Sequence, residues 1–108
     1  MPGGLRGHYG AMDNQPRVVR NAAASRFELY MGDTMVGLAE YRVDGERVLF
    51  PHTEVDSVLN GQGLGSTLAR FALDTVKAEG KRIVPQCSFI ALYVRRHPDD
   101  YAGIVDAA

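Results

Sequence analysis

Asn60-Gly61-Gln62-Gly63-Leu64-Gly65-Ser66 is the stretch on which the reading of this chain turns. Glycines at alternate positions let a backbone come close to a ligand and aim several N–H groups at one point. The residues that follow are periodic. Leu64, Leu68, Phe71, Ala72, Thr75 and Val76 recur at three-to-four spacing, which predicts a long amphipathic helix from Gln62 to Glu79. Gly80 is placed to stop it, after Lys77 near the negative end of its dipole. A glycine turn that opens such a helix is a phosphate cradle. A P-loop would need a lysine after its last glycine, but Gly65 is followed by Ser66, Thr67 and Leu68. A dinucleotide fingerprint would need Gly-x-Gly-x-x-Gly early in a parallel sheet, and neither the spacing nor the context fits.

Upstream, the pattern is one of strands. Phe27, Leu29 and Met31 alternate with Arg26, Glu28 and Tyr30, and Gly32-Asp33 supplies a tight turn. A second strand runs from Thr34 to Val43, and Asp44-Gly45-Glu46 turns it into a third from Arg47 to Val55. These three form an antiparallel meander. Pro51 removes a ladder donor from the third strand, so a bulge or a splay is expected there. Residues 1–24 lack periodicity and are read as a flexible N-terminal extension or leader, with the folded domain spanning 25–108. Downstream of the long helix, Arg82-Ile83-Val84-Pro85 reads as a short parallel strand. Ser88 to Arg96 reads as a helix, and His97-Pro98-Asp99-Asp100 ends it and starts another. The expected class is α+β: a mainly antiparallel mixed sheet, one long helix across it and two short C-terminal helices.

At 108 residues and 45% hydrophobic content the chain suits one domain with a packed core. A formal net charge of -1 gives no global field to draw it to nucleic acid or to a membrane, so any anion site must be local. The single cysteine, Cys87, excludes an internal disulfide and a multi-cysteine zinc site and suits a reducing compartment; a cytoplasmic location is expected. No apolar run approaches the roughly 20 residues of a membrane span. His52-x-Glu54 invites comparison with zinc deaminases, but those need a second cysteine in Pro-Cys-x-x-Cys, and no metal site is expected.

Asn60-Gly61-Gln62-Gly63-Leu64-Gly65 resembles motif A of the GCN5-related N-acetyltransferases, Gln/Arg-x-x-Gly-x-Gly/Ala, with Asn60 in place of the Gln or Arg. His52-Thr53-Glu54-Val55, Pro85-x-Cys87-x-Phe89 and Tyr93-x-Arg95-Arg96-His97-Pro98 are similar to the small single-domain branch of that superfamily. The resemblance implies acetyl-CoA as cofactor, its pyrophosphate on backbone N–H groups of Gln62, Gly63, Leu64, Gly65 and Ser66. It implies that the edge of Glu54 and Val55 lies along pantetheine, between splayed strands, and that the acetyl group ends near Cys87 and Tyr93. The activity so implied is N-acetyl transfer to an unidentified amine, on a small molecule or a protein, by direct attack in a ternary complex. An acyl-CoA-binding or sensing module without turnover is the alternative.

Acetyl transfer needs a deprotonated amine and a stabilised leaving thiolate. Glu54 is the candidate base, on the expectation that its carboxylate is partly buried at the strand end, against an ordinary surface glutamate. Tyr93 falls where many members of the superfamily carry a tyrosine that donates to the coenzyme sulfur, against a plain core aromatic. Cys87, at the mouth of the helix from Ser88, is either an acetyl-accepting nucleophile or a small packed hydrophobe. His52 is read as a local hydrogen-bonding partner on the strand face of Glu54, His97 as a helix-end residue, and Arg95 and Arg96 as solvating a helix terminus.

Overall fold

In the computed structural model, which describes residues 15–56 and 63–108, alternation becomes one five-stranded sheet. Its strands are Pro16–Asn21 (β1), Arg26–Met31 (β2), Thr34–Asp44 (β3), Arg47–Val55 (β4) and Arg82–Val84 (β5), side by side in chain order. The first four are antiparallel in turn, and β5 lies parallel to β4. A parallel pair needs a crossover. Leu64–Ala78 (α1) supplies it, and Ser88–Arg96 (α2) and Pro98–Tyr101 (α3) follow β5.

The sheet begins before Ser25, where the sequence reading starts the folded domain. Pro16–Asn21 pairs along its whole length with Arg26–Met31. An edge strand needs little apolar signal, and here only Val18 packs against the core. Arg20 anchors the strand instead: its Nε donates to the Tyr41 hydroxyl at 3.0 Å, and its Nη1 pairs with Glu79 just past the end of α1. Ala22–Ala24 makes one 3-10 turn, capped by the Asn21 side chain and closed by Ser25 at φ 54°. Residues 1–14 lie outside the described residues.

Pro51 does what a missing donor predicts on the edge of β4 that faces β3. Glu40 pairs with His52 but Arg42 pairs with Leu49, so Phe50 and Pro51 together face Tyr41 in a bulge. On the other edge the parallel pairing covers Arg47, Val48 and Leu49 alone. Past Leu49 the last link is the Cys87 N–H donating to the Phe50 carbonyl at 3.0 Å. β5 itself ends at Val84, so the rest of β4 has no ladder partner on that side among the described residues.

All three helices contribute to one core. Phe27, Leu29, Ala39, Val48 and Phe50 from the sheet meet Leu68, Leu73 and Val76 of α1, Ile90 of α2 and Tyr101 of α3. Each such buried side chain contributes roughly 1.5–3 kcal/mol. On the opposite face of β2 the carboxylate of Glu28 is buried but satisfied. It accepts from Arg26 Nε at 2.7 Å, Tyr30 Oη at 2.9 Å and Asn21 Nδ2 at 3.0 Å. Those bonds, the one from Arg26 first, hold the carboxyl below the usual glutamate range.

Candidate active site

The N-terminus of α1 leaves backbone donors without an acceptor inside the helix. Gly63 caps it at φ 73°, a left-handed conformation that only glycine adopts freely, and no side chain closes the cap. The first intrahelical donor is Thr67, whose N–H and hydroxyl both reach the Gly63 carbonyl. The N–H groups of Leu64, Gly65 and Ser66 therefore have no acceptor within the helix, and the first turn holds no acidic residue. Leu64 points its side chain into the core and offers only its backbone, whereas Gly63 and Ser66 are exposed. Gly65 also serves packing, because a Cβ there would stand 2.8 Å from Cζ of Phe89 and its bareness lets α2 close on α1. Asn60, Gly61 and Gln62 lie outside the described residues.

The end of β4 runs toward this turn. Val55 is half-buried against the core, with its Cγ2 within 3.8 Å of where a Gly65 Cβ would be. Two residues back, Thr53 Oγ1 lies 3.4 Å from Cys87 Sγ. Cys87 caps α2, packs partly into the core, and stands where β4 and β5 part. Thr53 was not singled out in the sequence; its one local signal is its place between His52 and Glu54 on an alternating strand.

Glu54 is not partly buried as expected. Its side chain is 65% exposed and its Oε2 meets His52 Nε2 at 2.5 Å. The local partnership read for His52 is thus present. This bond, with Glu40 across the ladder adding to it, raises the imidazole above the ordinary value of histidine.

Tyr93 is set elsewhere. Its ring is buried, stacked on His97 at 4.1 Å between centroids, with the Arg70 guanidinium 5.7 Å from its own centroid. It lines a hollow of about 110 Å³ with Ser66, Phe89, Leu92, Arg96 and His97. His97 closes α2 as expected, its N–H donating to the Val94 carbonyl and its Nδ1 lying 2.8 Å from the Tyr93 carbonyl. The structure thus joins Cys87 to Thr53 and Glu54 to His52 on β4, and groups Tyr93 with Ser66 at the opening of α1.

A family model described as GCN5-related N-acetyl-transferase matches residues 26–104. The chain belongs to that family. Its class of reaction is accordingly acyl transfer, and the chain is an acetyltransferase. Among solved structures it is similar to a GCN5-like protein from Staphylococcus aureus, at 24% identity over 85% of this chain and 89% of that one, with a TM-score of 0.63. It is also similar to the ribosomal-protein-S18-alanine N-acetyltransferase of Escherichia coli, at 18% identity over 87% of this chain and 59% of that one, with a TM-score of 0.56. At these identities the two structures speak for the fold alone. No curated protein matches the chain. Among the described residues no helix is long and apolar enough to cross a membrane.

Proposed function

We propose that the protein transfers the acetyl group of acetyl-CoA to an amine, by direct attack in a ternary complex. The observation that carries this reading is the stretch of β4 past Leu49 that has no ladder partner on its β5 side among the described residues, next to Cys87 and running toward the start of α1. The residues fit the cofactor. N–H groups of a helix start that have no acceptor within the helix suit a pyrophosphate, and the edge of β4 past Leu49 suits a pantetheine arm that hydrogen-bonds like a strand. When bound, acetyl-CoA supplies an activated acyl thioester.

In this reading Gln62 to Ser66 hold the phosphates through their backbone, and the edge of Glu54 and Val55 orients the arm. Glu54, hydrogen-bonded to His52, receives the proton that the attacking amine must lose. Tyr93 lines the hollow beside Ser66, at the phosphate end of the cofactor in this reading. Cys87 packs at the acyl end; its approach to Thr53 at 3.4 Å also suits a covalent route, in which the acetyl group passes through Sγ.

Calorimetry with coenzyme A, then an acetyl-CoA assay over a panel of amines, tests the reading. Absence of binding at millimolar coenzyme A sinks it, and binding without turnover of any amine reduces the protein to an acyl-CoA sensor. The mass of the intact protein after acetyl-CoA, with the rate of Cys87→Ser, separates the routes. Transfer by Cys87→Ser at the wild-type rate excludes the covalent one.

A further inference from the structure

We propose that the acceptor is an unbranched primary alkylammonium seated in the cleft lined by the paired start of β3 and end of β4. This rests on the acetyl-transfer reading above and names its second substrate.

The cleft has a volume of about 240 Å³, below the roughly 300–1,000 Å³ of sites for drug-sized ligands, so it suits a short chain rather than a large ring system. Its shape follows from two backbone features. A bulge in β3 leaves Val36 as an extra residue opposite Leu29 and Tyr30. Next to it, Gly37 lets β3 lie close on β4: a Cβ there would stand 3.0 Å from the Glu54 carbonyl.

The lining has two chemistries. Met35, Leu38 and Val55 offer apolar surface for methylenes, while Glu54 brings a carboxylate, and among the described residues no basic one lines the cleft. Leu38 and Glu54 are ladder partners, and the next pair on the same face is Glu40 with His52. An ammonium on an alkyl stem matches both parts, through a charge-assisted hydrogen bond at the head. An amine carrying its own carboxylate is repelled.

The position suits the reaction. Glu54 lines the cleft, and its neighbour Thr53 touches Cys87 on the far edge of β4, where no described strand pairs with it past Leu49. An amine held by Glu54 reaches the thioester across that open edge. One ammonium proton passes to the Glu54–His52 pair, the nitrogen bonds the acyl carbon as the C–S bond breaks, and the second proton leaves with sulfur as the thiol.

Titrating the full-length, nitrogen-15-labelled protein with pentylamine, hexanoate and 6-aminohexanoate tests this by amide shifts, with and without coenzyme A. Pentylamine should perturb Leu38, Glu54 and Val55 saturably, and the two carboxylates should not. Met35→Arg and Leu38→Arg should each weaken pentylamine at least tenfold while coenzyme A affinity by calorimetry is unchanged. Met35 is 39% exposed, so its variant keeps the test open if Leu38→Arg does not fold. Shifts centred on Arg96 and His97, shifts nowhere, equal binding of hexanoate, or wild-type affinity in Met35→Arg overturn the proposal. Failure to bind coenzyme A counts against the transferase reading alone, because the pentylamine map needs no cofactor. Comparing pentylamine with Nα-acetyl-lysine methylamide then distinguishes a free amine from a protein side chain as the source.

Discussion

A side chain at Gly63 would have to take φ 73°, which costs an L-residue roughly 1–2 kcal/mol, and it would stand beside the free donors of α1. Gly63→Glu should therefore lose coenzyme A binding by calorimetry, since its carboxylate competes for the same N–H groups. Gly63→Asn, which tolerates the left-handed region, should stay folded and retain most of the affinity. Equal affinity in Gly63→Glu would remove this turn as the phosphate site. At His52, the raised imidazole depends first on the hydrogen bond to Glu54. An NMR titration should place its midpoint above the ordinary value of about 6.5, and Glu54→Gln should lower it. Because the folded value is the raised one, the stability this pair adds is complete below about pH 6.5 and fades as pH rises through the folded midpoint.

Elements as short as α3, four residues from Pro98 to Tyr101, do not stand alone and must be tied to a neighbour. α1 provides the ties. Arg70 Nη1 donates to Asp100 Oδ2 at 3.0 Å, Lys77 Nζ to the Asp100 carbonyl at 2.8 Å, and the buried Tyr101 hydroxyl to Asp74 Oδ1 at 2.7 Å. Tyr101→Phe keeps the ring and deletes the last of these, so it should lower unfolding free energy by about 1.5–3 kcal/mol in urea titrations. A change under about 0.5 kcal/mol would mean that solvent already satisfies Asp74.

Across the whole molecule, β1 and β2 are held to each other partly through Glu28, which takes bonds from Asn21 of β1 and Arg26 and Tyr30 of β2. Its carboxyl lies below the usual range when folded. The stability it contributes is present above the unfolded value of about 4.3 and is lost as pH falls through the folded one. Glu28→Gln should be the less stable protein at pH 7 and should approach the wild type near pH 3, as read from urea midpoints. A difference that stays constant with pH would assign the effect to packing.

What was legible in the sequence was local. Alternation marked β2, β3 and β4, three-to-four spacing marked α1, and Pro51 announced the bulge, because it takes one N–H out of the ladder with β3. The glycine run marked the start of α1 through a property of one residue, the left-handed backbone at Gly63. The N-terminal boundary was not legible, since an edge strand held by Arg20 and Asn21 carries almost no apolar pattern. Nor was the exposure of Glu54, the close packing of Gly65 against Phe89, or the setting of Tyr93 beside His97 instead of Glu54. The sequence by itself determined most of the elements and the glycine turn that opens α1, through backbone geometry and side-chain period. Only the tertiary structure decided that Thr53 meets Cys87, that Glu54 pairs with His52, and that β3 and β4 line a cleft. Those depend on register, on bulges in the β2–β3 and β3–β4 ladders, and on where strands far apart in the chain come to lie.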